Sequence, residues 1–113
     1  MVDLEKYRQI VRDLLQEIYG YNTSGSNHGI ESQLVLDMER DHYLLIDVGW
    51  EQNQFIYGTS IHIDIKEDKI WIQRNNTEVQ LAKCLVERGV SKDNIVIGLH
   101  SPFMRKYSDY AVS

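Results

Sequence analysis

Residues 42–74, HYLLIDVGWEQNQFIYGTSIHIDIKEDKIWIQR, carry the clearest secondary-structure pattern in the chain. Apolar and polar side chains alternate along this stretch in three runs, at about residues 42–50, 55–66 and 69–74. A period of two is typical of strands in an antiparallel sheet that has one covered face. The polar pairs Gln52-Asn53 and Glu67-Asp68 separate the runs and predict tight hairpin turns. We therefore expect three consecutive antiparallel strands.

A fourth predicted strand, at about Glu31–Glu39, precedes these three and makes the sheet a four-stranded meander. Its side chains join the same core face only if an odd loop, at Arg40-Asp41-His42, leads into the next strand. The alternation predicts that the core face carries Leu34, Leu36 and Met38, then Leu44, Ile46, Val48 and Trp50, then Phe55, Tyr57, Ile61, Ile63 and Ile65, and finally Ile70 and Ile72.

The two hairpin turns also predict the register of the meander. The expected pairs are Trp50 with Phe55, Tyr43 with His62, Asp64 with Trp71, Ile63 with Ile72, and His62 with Gln73. This register gathers polar and aromatic side chains on the sheet face opposite the core. They are Tyr43, Asp47, His62, Asp64, Trp71 and Gln73.

Before the strands, the sequence predicts a helix that begins after a cap at Asp3 and stops at Gly20. Its apolar residues recur at steps of three and four, which places them on one stripe. The stripe consists of Leu4, Tyr7, Val11, Leu14 and Ile18. We expect the following segment, Tyr21 to Gly29, to be a mobile loop because it is rich in Asn, Ser and Gly.

After the strands, the spacing of Thr77 and Gln80 fits a capping box and predicts a second helix that ends at Gly89. One turn at residues 91–94 and a short strand at about 95–99 should follow. Ser101-Pro102 fits the start of a short terminal helix or tail. The whole pattern predicts an α+β fold in a single domain, residues 1–113, whose helices cover the core face.

Composition narrows the function classes. The chain has 113 residues, with 12 Lys and Arg against 17 Asp and Glu, and its basic residues form no run longer than Arg105-Lys106. Nucleic-acid readers usually carry a basic stripe, so we expect no direct nucleic-acid binding. A single cysteine, Cys84, fits a reducing compartment. We expect a cytoplasmic protein with no membrane span, because no long apolar run is present.

The polar sheet face is the candidate site, and two interpretations of it stay open. Trp71 is a large aromatic residue on a nominally wet face, so either a partner or the chain's own tail covers it. We predict a partner-binding face there. The alternative is a small metal-dependent or acid/base enzyme that uses His62 and Asp64, with His100. A metal site lacks a third and a fourth ligand at a recognised spacing, and no complete catalytic or cofactor motif is present.

Longer strings are more specific than any of these motifs. In chain order they are LEKYR at 4–8 with IV at 10–11, ERDHY at 39–43, DVGW at 47–50, YG at 57–58, HIDI at 62–65, KIWIQ at 69–73, TE at 77–78 and GV at 89–90. Asp93, Ile95-Val96, His100, Pro102, Arg105, Tyr107 and Ala111-Val112 follow toward the end. Together they resemble the XisI-like family, the fdxN element excision controlling factor proteins of cyanobacteria, over nearly the whole chain.

The resemblance implies a control function without catalytic residues or a cofactor. The family is named for a factor needed, with a companion excision factor, when a site-specific recombinase removes a DNA element during heterocyst differentiation. The resemblance therefore implies that the partner is the companion excision factor or the recombinase machinery. A second copy of the chain is a further possibility, because most soluble oligomers are two-fold homodimers.

Overall fold

In a computed structural model of the protein, which describes residues 2–24 and 29–113, a five-stranded sheet carries two helices on one face. The elements are α1 Leu4–Ser24, β1 Ile30–Asp37, β2 His42–Glu51, β3 Gln54–Lys66, β4 Lys69–Asn75, α2 Leu81–Glu87, a 3-10 turn Lys92–Asn94, β5 Ile95–Ile97 and α3 Pro102–Arg105. The strands lie in chain order, antiparallel from β1 to β4, and β5 joins β4 in parallel. The predicted α+β class and element order are confirmed, and β5 occupies the edge beside β4.

The first helix is capped and packed as its sequence predicts. Asp3 Oδ1 accepts the Lys6 backbone N–H at 3.2 Å, which satisfies one of the free donors of the first turn. Tyr7, Val11 and Leu14 of the predicted stripe are buried, as is Ile18. Within the described residues, no helix is long and apolar enough to cross a membrane.

The predicted stop at Gly20 is wrong, because α1 continues to Ser24. A glycine inside a helix costs only about 1 kcal/mol relative to alanine, which is too little to end a helix already anchored by a buried stripe. Tyr21 to Ser24 of the expected loop are therefore helical. Residues 25–28 of that loop lie outside the described residues.

The second helix starts four residues later than predicted, at Leu81. Thr77 does not cap it. The Thr77 hydroxyl donates to Asn75 Oδ1 at 2.6 Å, and Asn75 Nδ2 donates to the Val79 carbonyl at 2.7 Å. The capping-box prediction is wrong because Asn75 recruits Thr77 into a turn, which competes with helix initiation. The predicted end at Gly89 is confirmed, and Gly89 has a φ of +109°.

A β-bulge in β3 decides which side chains face the helices. Leu45 pairs with Ile61 while Ile46 pairs with Thr59, so Ser60 is an extra residue in β3. The Ser60 hydroxyl donates to the Leu45 carbonyl at 3.1 Å and holds the bulge. One extra residue reverses the face of every later side chain in a strand. The odd-numbered residues of β3 therefore face away from the helices before Ser60 and toward them after it.

The bulge explains which face assignments are confirmed and which are wrong. The helix-facing positions of β3 and β4 are confirmed: Ile61, Ile63, Ile65, Ile70 and Ile72 are all buried in the core. Leu34, Leu36 and Met38 also pack against that core as predicted. Six side chains predicted to face the core lie on the opposite face. In β2 the core-facing residues are Tyr43 and Leu45, so the even-numbered residues of β2 and their partners in β3 before Ser60 point away from the helices. These six are Leu44, Ile46, Val48, Trp50, Phe55 and Tyr57.

Candidate interaction face and its histidine–aspartate cluster

The sheet face that points away from α1 and α2 is called the outer face here. The last part of β3 and the whole of β4 present to it four of the six residues predicted for the partner-binding face. His62, Asp64 and Trp71 alternate with buried core residues, and Gln73 Nε2 donates to Asp64 Oδ2 at 3.3 Å. Asp64 pairs with Trp71 across the strands, as predicted. His62 pairs with Arg74 instead of Gln73, because β4 also carries an extra residue there.

The other two predicted residues, Tyr43 and Asp47, lie on the core face instead. Tyr43 pairs with Ile63 and is fully buried. Its hydroxyl donates to Asp41 Oδ1 at 3.0 Å, and burial together with the hydrogen bond and charge of Asp41 raises the pKa of Tyr43. Asp47 Oδ1 accepts the hydroxyl of its cross-strand partner Ser32 at 2.9 Å.

The turn before β2 explains why Tyr43 faces the core. Asp37 pairs with His42, so four residues form the connection instead of the predicted odd loop. Asp41 adopts a φ of +63° there and receives Arg8 of α1 through Nε at 2.8 Å and through Nη2 at 3.2 Å. This two-point ion pair attaches α1 to the turn beside the Tyr43 hydroxyl.

Trp71 is covered by the chain itself. Its side chain is 8% exposed, although it lies on the face opposite the main core. Lys66 Nζ lies 4.1 Å from the indole ring centre, and Arg105 of α3 stacks on it at 5.3 Å. A side-chain carbon at Gly98 would lie 3.2 Å from Trp71 Cε3, so the backbone after β5 packs directly on the ring. Of the two interpretations of Trp71, the structure shows burial by the C-terminal segment.

A histidine–aspartate cluster lies beside Trp71 on the outer face. His42 Nδ1 and His62 Nε2 each lie 2.8 Å from Asp64 Oδ1. The Asp64 side chain is largely buried, whereas both imidazoles reach solvent. Burial alone would raise the pKa of Asp64, but the hydrogen bonds from His42, His62 and Gln73, with the charge of His62, lower it.

His42 is the member of this cluster that sequence reasoning missed. The predicted register placed Tyr43 opposite His62 and left His42 at a turn. Because Ser60 is bulged, the pairing shifts by one residue and His42 lies directly opposite Asp64. The sequence could have revealed it through the register of β2 against β3. A register that turns Tyr43 and Leu45 toward the core also places His42 opposite Asp64.

The other end of the outer face is apolar and exposed. We call Val48, Trp50, Phe55 and Tyr57 the apolar patch. They form two adjacent cross-strand pairs, Trp50 with Phe55 and Val48 with Tyr57. The rings of Trp50 and Phe55 are 5.2 Å apart, and Tyr57 is 71% exposed. Large aromatic side chains concentrated on one open sheet face are typical of interaction surfaces.

The family of the chain follows from comparison with known proteins. A model of the XisI protein family matches residues 1–112. The chain belongs to the XisI family. A search of the curated proteins finds no match.

Two solved structures of XisI proteins share the fold. A XisI-like protein from Anabaena variabilis ATCC 29413 is 43% identical, with a TM-score of 0.88, over 98% of this chain and 100% of that chain. The fdxN element excision controlling factor XisI from the same organism is 24% identical, with a TM-score of 0.84, over 97% of this chain and 98% of that chain. The resemblance found in the sequence strings is therefore confirmed at the level of family and fold.

His100, the third group of the enzyme alternative, lies apart from His62 and Asp64. His100 lines a hollow of about 290 Å³ with Leu81, Ile97 and Tyr110. A second hollow, of about 220 Å³, lies between Asp47 and Arg74. Neither of these two hollows in this XisI protein includes His62 or Asp64. They give no support to an enzyme that joins His100 to His62 and Asp64.

Proposed function

We propose that this XisI protein is a non-catalytic regulator of DNA-element excision and that it acts by binding a protein partner through the apolar patch. Family membership supports the regulatory part, since a solved relative of the same fold carries the name of an excision controlling factor. The proposal that the protein binds a partner rests on the exposed apolar patch.

Exposed aromatic residues provide the energy for such an interface. Trp50 and Phe55 are more than half exposed, and Tyr57 is more exposed still. Full burial of a large apolar side chain contributes about 1.5 to 3 kcal/mol. Tryptophan and tyrosine are also enriched among the few residues that dominate binding energies. Three such side chains on neighbouring strands therefore offer a compact anchor for another protein.

Charge favours a protein partner over DNA. The whole chain carries a net charge of −5. Glu31 pairs across β1 and β2 with Val48 of the patch. A carboxylate beside the patch would repel phosphates, whereas DNA binding depends on neutralising them. We assign the patch to the companion excision factor of the recombination machinery and treat a second copy of the chain as an outcome of the test.

The experiment is affinity capture of native complexes from the source cells, followed by mass spectrometry. Wild type is compared with Tyr57→Ala and with Tyr21→Ala, because Tyr21 is equally exposed, at 71%, but belongs to α1. The proposal expects an excision protein that wild type and Tyr21→Ala retain and Tyr57→Ala loses. Capture of the chain's own second copy alone, or equal retention by all three proteins, would contradict it.

A further inference from the structure

We propose that His42, His62 and Asp64 form a binding site for a divalent transition metal of the zinc class. The inference is independent of the proposed function, because the ligands lie apart from the apolar patch. The sequence alone supplied neither a third nor a fourth ligand at a recognised spacing. The register shift at Ser60 supplies the third ligand in His42.

The geometry of the three side chains fits a metal site. One ligand atom from each residue lies within 4.8 Å of the other two, and each imidazole nitrogen is 2.8 Å from Asp64 Oδ1. Ligand atoms at roughly 2.1 Å from one tetrahedral ion are about 3.4 Å apart. Small side-chain rotations are therefore enough to admit an ion. Two imidazoles with one carboxylate are typical ligands of Zn²⁺, Co²⁺ and Ni²⁺, whereas Ca²⁺ and Mg²⁺ prefer oxygen atoms alone.

The surroundings hold the ligands in place. His42 belongs to β2 while His62 and Asp64 belong to β3, so the hydrogen-bonded strands fix their separation. Gln73 Nε2 donates to Asp64 Oδ2, as an outer-shell partner orients a ligating carboxylate.

The neighbouring cationic side chains, Lys66 and Arg74, contact groups other than Asp64. Lys66 Nζ lies over the Trp71 ring at 4.1 Å, and Arg74 Nε donates to the Thr59 carbonyl at 2.6 Å. Neither of these contacts directs positive charge at Asp64. Because both imidazoles are partly exposed, solvent reaches the cluster and water can complete the coordination of a bound ion.

The test is calorimetric titration of Zn²⁺ into the tag-free, chelator-treated chain, with Co²⁺ absorption as a second readout of the ligands. We expect one ion per chain. His42→Gln and His62→Gln should each weaken binding at least about tenfold, since a glutamine still donates to Asp64 but is a poor ligand. His100→Gln is the matched control and should bind like wild type, because His100 lies outside the cluster. Melting curves in chelator verify that each variant is folded.

The metal titrations distinguish a specific site from its absence. Saturable binding of one ion that depends on His42 and His62 but not on His100 supports the site. Absence of saturable Zn²⁺ binding to folded wild type would overturn it. So would binding that survives in the folded His42→Gln and His62→Gln proteins, or that falls equally in His100→Gln.

Discussion

Trp71 provides the sharpest test of how the C-terminal segment is held, through the substitution Trp71→Ala. The side chain is 8% exposed and packs against Lys66, Arg105 and the backbone at Gly98. Removing a buried tryptophan costs about 3 to 5 kcal/mol. Among the described residues, its indole N–H has no hydrogen-bond acceptor. Such a buried donor carries a penalty of about 1 to 3 kcal/mol, which the substitution relieves.

The net expectation for Trp71→Ala is a loss of about 2 kcal/mol in the free energy of unfolding, the cost of the lost packing less the relieved penalty. For a chain of this length that corresponds to a fall of roughly 8 °C in Tm, measured by circular dichroism. Trp71→Phe should cost much less, because it keeps an aromatic ring and removes the unpaired donor. If Trp71→Ala melts like wild type and weakens association instead, the indole belongs to a partner surface and this reasoning is refuted.

Two further predictions concern single positions. Gly49→Ala should lower the free energy of unfolding by at least about 2 kcal/mol in urea titrations, because its φ is +149° and a Cβ there would collide with the Gly29 carbonyl. Gly58→Ala, where a Cβ meets nothing within 4 Å, should stay within about 0.5 kcal/mol of wild type, and equal losses would contradict the geometry. Asp37 accepts hydrogen bonds from the backbone N–H groups of Arg40 and Glu39, and these bonds, that of Arg40 most, lower the pKa of Asp37. The charged carboxylate therefore stabilises the fold at pH values above the usual pKa of an aspartate. This stabilisation disappears as the pH falls through the lowered pKa. Asp37→Ala should therefore destabilise the protein at neutral pH and much less in acid, and a pH-independent effect in urea titrations would contradict this.

Much of the fold was predictable because its signals are local. The alternation along residues 42–74 and the polar pairs at 52–53 and 67–68 specify the hairpins, and both turns occur as predicted. The cap at Asp3 and the stop at Gly89 are likewise confirmed. Each of these features depends on a few neighbouring residues, so a periodicity argument reaches it.

The errors arise where a distant contact overrides the local pattern. Nothing in the alternation marks Ser60 as a bulge, since Phe55, Tyr57, Ile61 and Ile63 share one parity in the sequence. The bulge depends on the backbone of β2, where Leu45 accepts the Ser60 hydroxyl. The capping box failed for a local reason instead, because the Thr77 hydroxyl donates to Asn75 Oδ1, two residues earlier in the chain.

The candidate site was predictable only in part. His62, Asp64, Trp71 and Gln73 do share a face, because a single correct turn at 67–68 is enough to place them. Tyr43 and Asp47 were assigned to the wrong face, and His42 was left out, because all three depend on the shift at Ser60. The same shift exposes the apolar patch, which the alternation had assigned to the core.

The proposed function requires the apolar patch to bind a protein of the excision machinery. The decisive measurement is calorimetric titration of the captured, purified partner with wild type, Tyr57→Ala and Tyr21→Ala. We expect Tyr57→Ala to raise the dissociation constant about 30-fold, or about 2 kcal/mol, as loss of an interface hot spot does, and Tyr21→Ala to bind like wild type. Equal affinity of all three proteins, with each shown to be folded, would contradict it.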